Sequence, residues 1–144
     1  MSLTLQIIQA VVSVAMVTLI YVAKQARLKV RKLQAVIEPI NEIGNEDIRE
    51  LRDWALYSMP SINELNAKQK WDARRLAIAY DRLGYMMKRK LIEFNEIVGL
   101  QGDVIVPLWN KLKPVIYERR ENNRPRYCQN FQYLAEKLVS KQNR

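Results

Sequence analysis

The chain has 144 residues and a mass of 17.0 kDa, the size of a single domain. Lys and Arg number 24 against 15 Asp and Glu, a formal net charge of +9; histidine is absent and Cys128 is the one cysteine. This composition excludes Ser-His-Asp and Cys-His machinery, a histidine-ligated metal, a zinc–thiolate cluster and an internal disulfide. With 49% hydrophobic and 27% charged residues the chain is not disordered, and its four Gly and five Pro are too few for a turn-rich all-β protein.

Residues 1–23 carry no charged side chain, and 16 of the 21 residues from Leu3 to Ala23 are apolar. At 1.5 Å rise per residue, a helix of this length spans roughly the 30 Å of a hydrocarbon core. We read residues 1–23 as a transmembrane anchor. A buried core helix fits less well, because the remaining chain is too small to cover this segment on all sides. A cleaved signal peptide also fits less well, since basic residues follow the apolar run instead of preceding it. Lys24, Arg27, Lys29, Arg31 and Lys32 come directly after the span, and no acid appears before Glu38. The positive-inside rule then puts the N-terminus outside and the body in the cytoplasm, with these five cations near lipid headgroups. Within the span, Ser2, Gln6, Gln9 and Ser13 fall on one helix face, a pattern that serves helix–helix packing in a bilayer.

Residues 24–40 are expected to continue as a basic juxtamembrane helix. Ala26, Val30, Leu33, Ile37 and Ile40 form a seam at four-three-four-three spacing that ends near Pro39. Such a seam can pair with another helix or pack on the protein's own body. Residues 41–144 are read as a helical domain. Asn41 to Asp47 is a turn, with Asn45 capping a helix that stops at Met59-Pro60. Ser61 to Glu64 matches a capping box, and a second start lies near Asn66. The long helix that follows, to about Leu91, has Leu76, Ala79, Leu83 and Met86 on its apolar face, flanked by Trp71 and Tyr80; Gly84 allows close approach of a neighbour. Gly99 and Gly102 are expected to break the chain. Asp103 would then cap a helix that Pro114 kinks. Residues 121–125 form a loop, and a last helix carries Tyr127, Phe131, Leu134, Ala135 and Leu138, with its end from Ser140 frayed. No convincing strand pattern is present.

Little catalytic chemistry is visible. The acids Glu42, Glu46, Asp47, Glu50 and Asp53 cluster, but two carboxylates on a solvated helix face are ordinary surface. No phosphate-binding loop or dinucleotide fingerprint occurs. Cys128, in the first turn of the last helix near Arg124 and Arg126, has the setting of either a reactive thiol or a small packed residue. Charge is uneven: residues 111–144 carry nine basic and three acidic groups. Lys111, Lys113, Arg119, Arg120, Arg124 and Arg126 form the basic excess read as a partner-binding face. No cofactor and no metal are expected. The expected partners are the lipid bilayer and a protein partner or second copy. Nucleic acid ranks below these because no recognisable module surrounds the basic residues.

The run from Leu108-Trp109 to Pro114, followed by Arg119-Arg120 and a closing aromatic helix at Tyr127 and Phe131, resembles the ending of certain short uncharacterised prokaryotic proteins. These have one N-terminal membrane helix and a small cytoplasmic helical domain. The resemblance covers about Ala77 to Leu138 and implies no activity and no site residue. The expected fold class is all-α, with one N-terminal transmembrane helix continuing into a small cytoplasmic helical bundle. The expected function is a non-enzymatic, single-pass membrane-anchored interaction module, either an accessory subunit of a membrane complex or an adaptor. The alternative is a tethered regulatory domain that binds nucleic acid or an anionic ligand through its basic C-terminal helices.

Overall fold

The computed structural model describes residues 3–142. Five α-helices and one short 3-10 turn account for the ordered elements, with no strand among the described residues. They are α1 (Leu3–Gly44), α2 (Glu46–Tyr57), the 3-10 turn (Ile62–Glu64), α3 (Ala67–Lys88), α4 (Phe94–Glu121) and α5 (Gln129–Gln142). The all-α expectation is therefore correct. The chain divides into two units after Ala35.

In the first unit, α1 is a helix with every described side chain exposed. Its most apolar 18-residue window has a mean hydropathy of 2.1 and is 0% buried, which makes it a candidate membrane span. Ser13 Oγ donates to the Gln9 carbonyl at 2.8 Å and Thr18 Oγ1 to the Val14 carbonyl at 2.8 Å. These bonds satisfy both hydroxyls within their own helix.

The second unit is a bundle built on α3. The C-terminal end of α1 belongs to it. Ile43 is buried, and Val36 and Ile40 pack against the core. Pro39 does not end this helix, which continues to Gly44. The expected turn at Asn41 shrinks to a bend at Asn45 because burial of Ile40 and Ile43 outweighs the bond lost at the proline. The core-facing line is Val36, Ile40 and Ile43; Val30, Leu33 and Ile37 of the expected seam are exposed.

Asn45 is the N-cap of α2 as expected, though its side chain makes no capping bond. The backbone N–H and hydroxyl of Ser61 both donate to the Glu64 carboxylate, at 3.1 and 2.9 Å. Asn66 and Gln69 form a reciprocal box: Gln69 N–H donates to Asn66 Oδ1 at 2.9 Å, and Asn66 N–H to Gln69 Oε1 at 3.0 Å. Helix α3 then buries Ala73, Leu76, Ala77, Ala79, Tyr80, Leu83, Met86 and Met87. Trp71 departs from the expectation: it is 65% exposed. The helix ends in a Schellman motif, in which Leu91 N–H donates to the Met86 carbonyl and Lys90 N–H to the Met87 carbonyl, both at 3.0 Å.

Helix α4 corrects the largest misreading. It runs unbroken through Gly99, Gly102, Pro107 and Pro114, starting at Glu93, whose N–H donates to Glu96 Oε2 at 3.1 Å. Ile97, Ile105, Leu108, Trp109, Leu112, Val115 and Ile116 form one continuous buried stripe. Both prolines lie on the exposed face. There water can serve the carbonyls they leave unpaired, and a gentle bend around the core is tolerated.

Helix α5 packs on both α3 and α4. Phe131 is fully buried against Tyr80 (ring centroids 5.5 Å) and edge-on to Trp109 (5.3 Å). Gly84 lets α3 and the start of α5 approach closely, since a Cβ there would overlap the Asn130 carbonyl. The expected fraying from Ser140 is not seen through Gln142: Lys141 Nζ donates to Asn95 Oδ1 at 2.8 Å.

Candidate functional site

The solvent side of α3 repeats at helical spacing as Trp71, Arg74 and Arg75, Ile78, and Arg82. These positions fall opposite the buried stripe. The end of α4 lies alongside. Lys70 Nζ pairs with Glu118 Oε1 at 2.9 Å, and Arg74 Nη2 lies 3.9 Å from Glu118 Oε2. This cross-link brings Arg119 and the loop residue Arg124 to the same side. The result is a groove of about 250 Å³ walled by arginines from both helices and the loop, with Trp71, Ile78 and Tyr127 as its less polar lining.

Five guanidinium groups line this groove against one carboxylate, Glu42. Arg82 is held by Glu42 at 2.6 Å, and Arg75 lies 3.7 Å from Asp47. Among the described residues, the side chains of Arg119 and Arg124 have no hydrogen bond or ion pair. Arg74 Nε is buried without a hydrogen-bond partner, as is Glu118 Oε2. The Trp71 indole has no ring or cation against it among the described residues. Burial pushes the Tyr127 phenol up to about 12, with the Cys128 thiol adding to the rise and Arg74 and Arg119 opposing it. Tyr127 is therefore a neutral hydrogen-bonding group at physiological pH.

Of the six C-terminal cations, two line this groove, Arg119 and Arg124. Lys111 and Lys113 are exposed on α4, and Lys113 Nζ sits 5.4 Å from the Tyr117 ring centroid. Arg126 is an exposed loop residue. Arg120 is structural: its Nε donates to the Tyr127 carbonyl at 2.9 Å and its Nη1 to Gln132 Oε1 at 2.8 Å. It ties the end of α4 to the approach of α5. Arg74, Arg75 and Arg82, on the solvent side of α3, supply the rest of the groove. Their spacing with Trp71 along one helix line was the available signal.

Cys128 lies just before α5, not in its first turn, with a left-handed φ of 51°. It is 5% exposed, and burial, then the Asp81 carboxylate, push its thiol up to about 12. This is the opposite of an activated nucleophile and removes the reactive-thiol reading. The acids read as surface are partly paired: Glu42 to Arg82, Asp47 to Arg75 and Asp53 to Arg52. Among the described residues no three metal-ligating side chains gather.

On α1, Lys24, Arg27 and Arg31 follow one line of the helix and Lys29 and Lys32 another, all exposed. Gln6, Gln9 and Ser13 share a face, and Ser2 lies outside the described residues.

Residues 4–138 match the family described as "Domain of unknown function (DUF4760)". The chain belongs to this family. The DUF4760 match covers both the apolar part of α1 and the helical bundle, so the two are parts of one family unit. No curated protein and no solved structure matches the chain.

Proposed function

We propose that this DUF4760 protein is a non-enzymatic, single-pass membrane-anchored interaction module, with its N-terminus outside and its helical bundle in the cytoplasm. The observation that carries this reading is the uncharged, fully exposed apolar stretch of α1, followed at once by five cations. A soluble fold has no use for 21 exposed, mostly apolar residues in a row, whereas a bilayer covers them. Lys24, Arg27, Lys29, Arg31 and Lys32 hold the cytoplasmic end among anionic headgroups.

The bundle then acts by recognition, as an accessory subunit of a membrane complex or an adaptor that holds a cytoplasmic partner near the bilayer. Its surface supports recognition by charge, with the arginine-lined groove gathering five guanidinium groups.

The test is membrane fractionation. The full chain should resist extraction at alkaline pH and be released by detergent. A chain lacking residues 1–23 should be soluble. If the shortened chain stays with the membranes, the anchor lies elsewhere and the reading fails.

A further inference from the structure

The groove between α3 and the end of α4 has features that a general recognition surface does not need. We propose that it is a binding site for a phosphate-bearing ligand, held by Arg119 and Arg124 with Arg74 behind them. This inference stands on the groove alone and holds whether or not α1 spans a membrane.

Charge is the first ground. Ion pairs occupy Arg82 and draw on Arg75, but Arg119 and Arg124 bring two full charges to the groove with no acceptor among the described residues. Each guanidinium offers a planar fork of donors that matches two oxygens of a phosphate. Like charges brought together cost free energy unless an anion neutralises them. Arg74 adds a third cation, its Nη2 3.9 Å from Glu118 Oε2.

Shape is the second ground. The volume, about 250 Å³, lies just below the range of drug-sized ligand pockets and suits a small anionic group. The third ground is the lining. Trp71 and Ile78 are exposed beside the cations, and the Trp71 indole presents an unoccupied π face. A ligand that pairs phosphate oxygens with an apolar or planar portion uses both halves of the groove. The neutral Tyr127 hydroxyl adds a hydrogen-bonding group without repelling the anion.

Two sources supply such a phosphate: a free molecule such as a nucleotide, or a phospholipid headgroup. The experiment titrates the detergent-solubilised full chain by calorimetry with ADP, inorganic pyrophosphate and short-chain phosphatidic acid. Saturable one-to-one binding is expected for at least one probe. Arg119→Gln and Arg124→Gln should each weaken it about tenfold. The double variant Lys111→Gln/Lys113→Gln removes the same kind of charge outside the groove and should bind as the parent does. Because the Arg119 and Arg124 side chains make no hydrogen bond or ion pair among the described residues, their variants should keep the parent's helical circular dichroism. Binding of ADP or pyrophosphate with this pattern identifies a free ligand, and binding of phosphatidic acid alone identifies a headgroup. Absence of saturable binding by all three probes, or equal losses in the groove and control variants, overturns the proposal.

Discussion

Asp81 on α3 caps α5 from outside its own helix: Asp81 Oδ1 accepts the backbone N–H of Asn130 at 2.8 Å. The same oxygen accepts the Phe131 N–H at 3.0 Å, and Oδ2 accepts Asn130 Nδ2 at 3.2 Å. One carboxylate thus satisfies two of the donors that the start of α5 leaves unpaired, and its charge sits favourably against the helix N-terminus. Three residues further along α3, Gly84 gives the Asn130 carbonyl room to approach. The two positions together place Phe131 between Tyr80 and Trp109.

Loss of this clamp should therefore be costly. Asp81→Ala strands partly buried donors at the start of α5 and should destabilise the bundle by about 1–2 kcal/mol. Gly84→Ala should also destabilise it, by about 1–3 kcal/mol, because the new methyl meets backbone and not a movable side chain. Chemical unfolding followed by circular dichroism at 222 nm (roughly the helical minimum, as helices dominate the fold) reads both. Unchanged midpoints in both variants would remove the clamp from the account.

A stabilising substitution is expected at the end of α3. Lys90 occupies the left-handed position of the Schellman motif, at φ 56°, where a side chain is strained. Lys90→Gly should raise stability by up to about 1 kcal/mol, the relief of strain being partly offset by the greater freedom of glycine in the unfolded chain. The same unfolding curves report it.

The arginines at the end of α4 should separate by role. Arg120→Met removes two hydrogen bonds that tie α4 to the approach of α5 and should cost about 1–3 kcal/mol of stability. Arg119→Gln and Arg124→Gln should leave stability within about 0.5 kcal/mol of the parent. A thermal melt of the three variants side by side checks this. A large loss at Arg119 or Arg124 would show that these residues hold the fold and are not free for a ligand.

Cys128 predicts a pH dependence. The ordinary thiol value is 9.0, and burial pushes it up to about 12; Tyr127 likewise rises from 10.0 to about 12. Above pH 9 the unfolded chain sheds its thiol proton while the folded chain keeps it. The unfolded state then binds fewer protons, and stability falls as pH rises from about 9 towards about 12. Below that window these two groups contribute no pH dependence. A disulfide reagent at pH 8 should accordingly react with Cys128 slowly in the native protein and rapidly after denaturation. Rapid native reaction would contradict the burial.

The helical class and most of the core faces were legible because apolar spacing survives in a single sequence. Leu76, Ala79, Leu83 and Met86 on α3, and Phe131, Leu134 and Leu138 on α5, are buried as their spacing predicts. Breaker residues misled where a buried stripe runs on past them. Pro39, Gly99 and Gly102 each suggest an end locally, yet the stripes through Ile43 and from Ile97 to Ile116 continue. The groove was only half legible. Arg119 and Arg124 stand out as part of a basic C-terminal run. Their partners Arg74, Arg75 and Arg82 lie in a stretch of balanced charge, and only helix packing brings the two sets together. Asp81 looks like surface in sequence, since a cap supplied by another helix has no local spacing.

The central claim is an anchored chain with its bundle in the cytoplasm, and cysteine accessibility in whole cells tests it most directly. Ser2→Cys and Ser140→Cys are each treated with a membrane-impermeant maleimide before and after permeabilisation, Cys128 being buried in both. The account predicts that position 2 labels in intact cells and that position 140 labels only once the membrane is opened. Labelling of position 140 in intact cells, with position 2 protected, would contradict it.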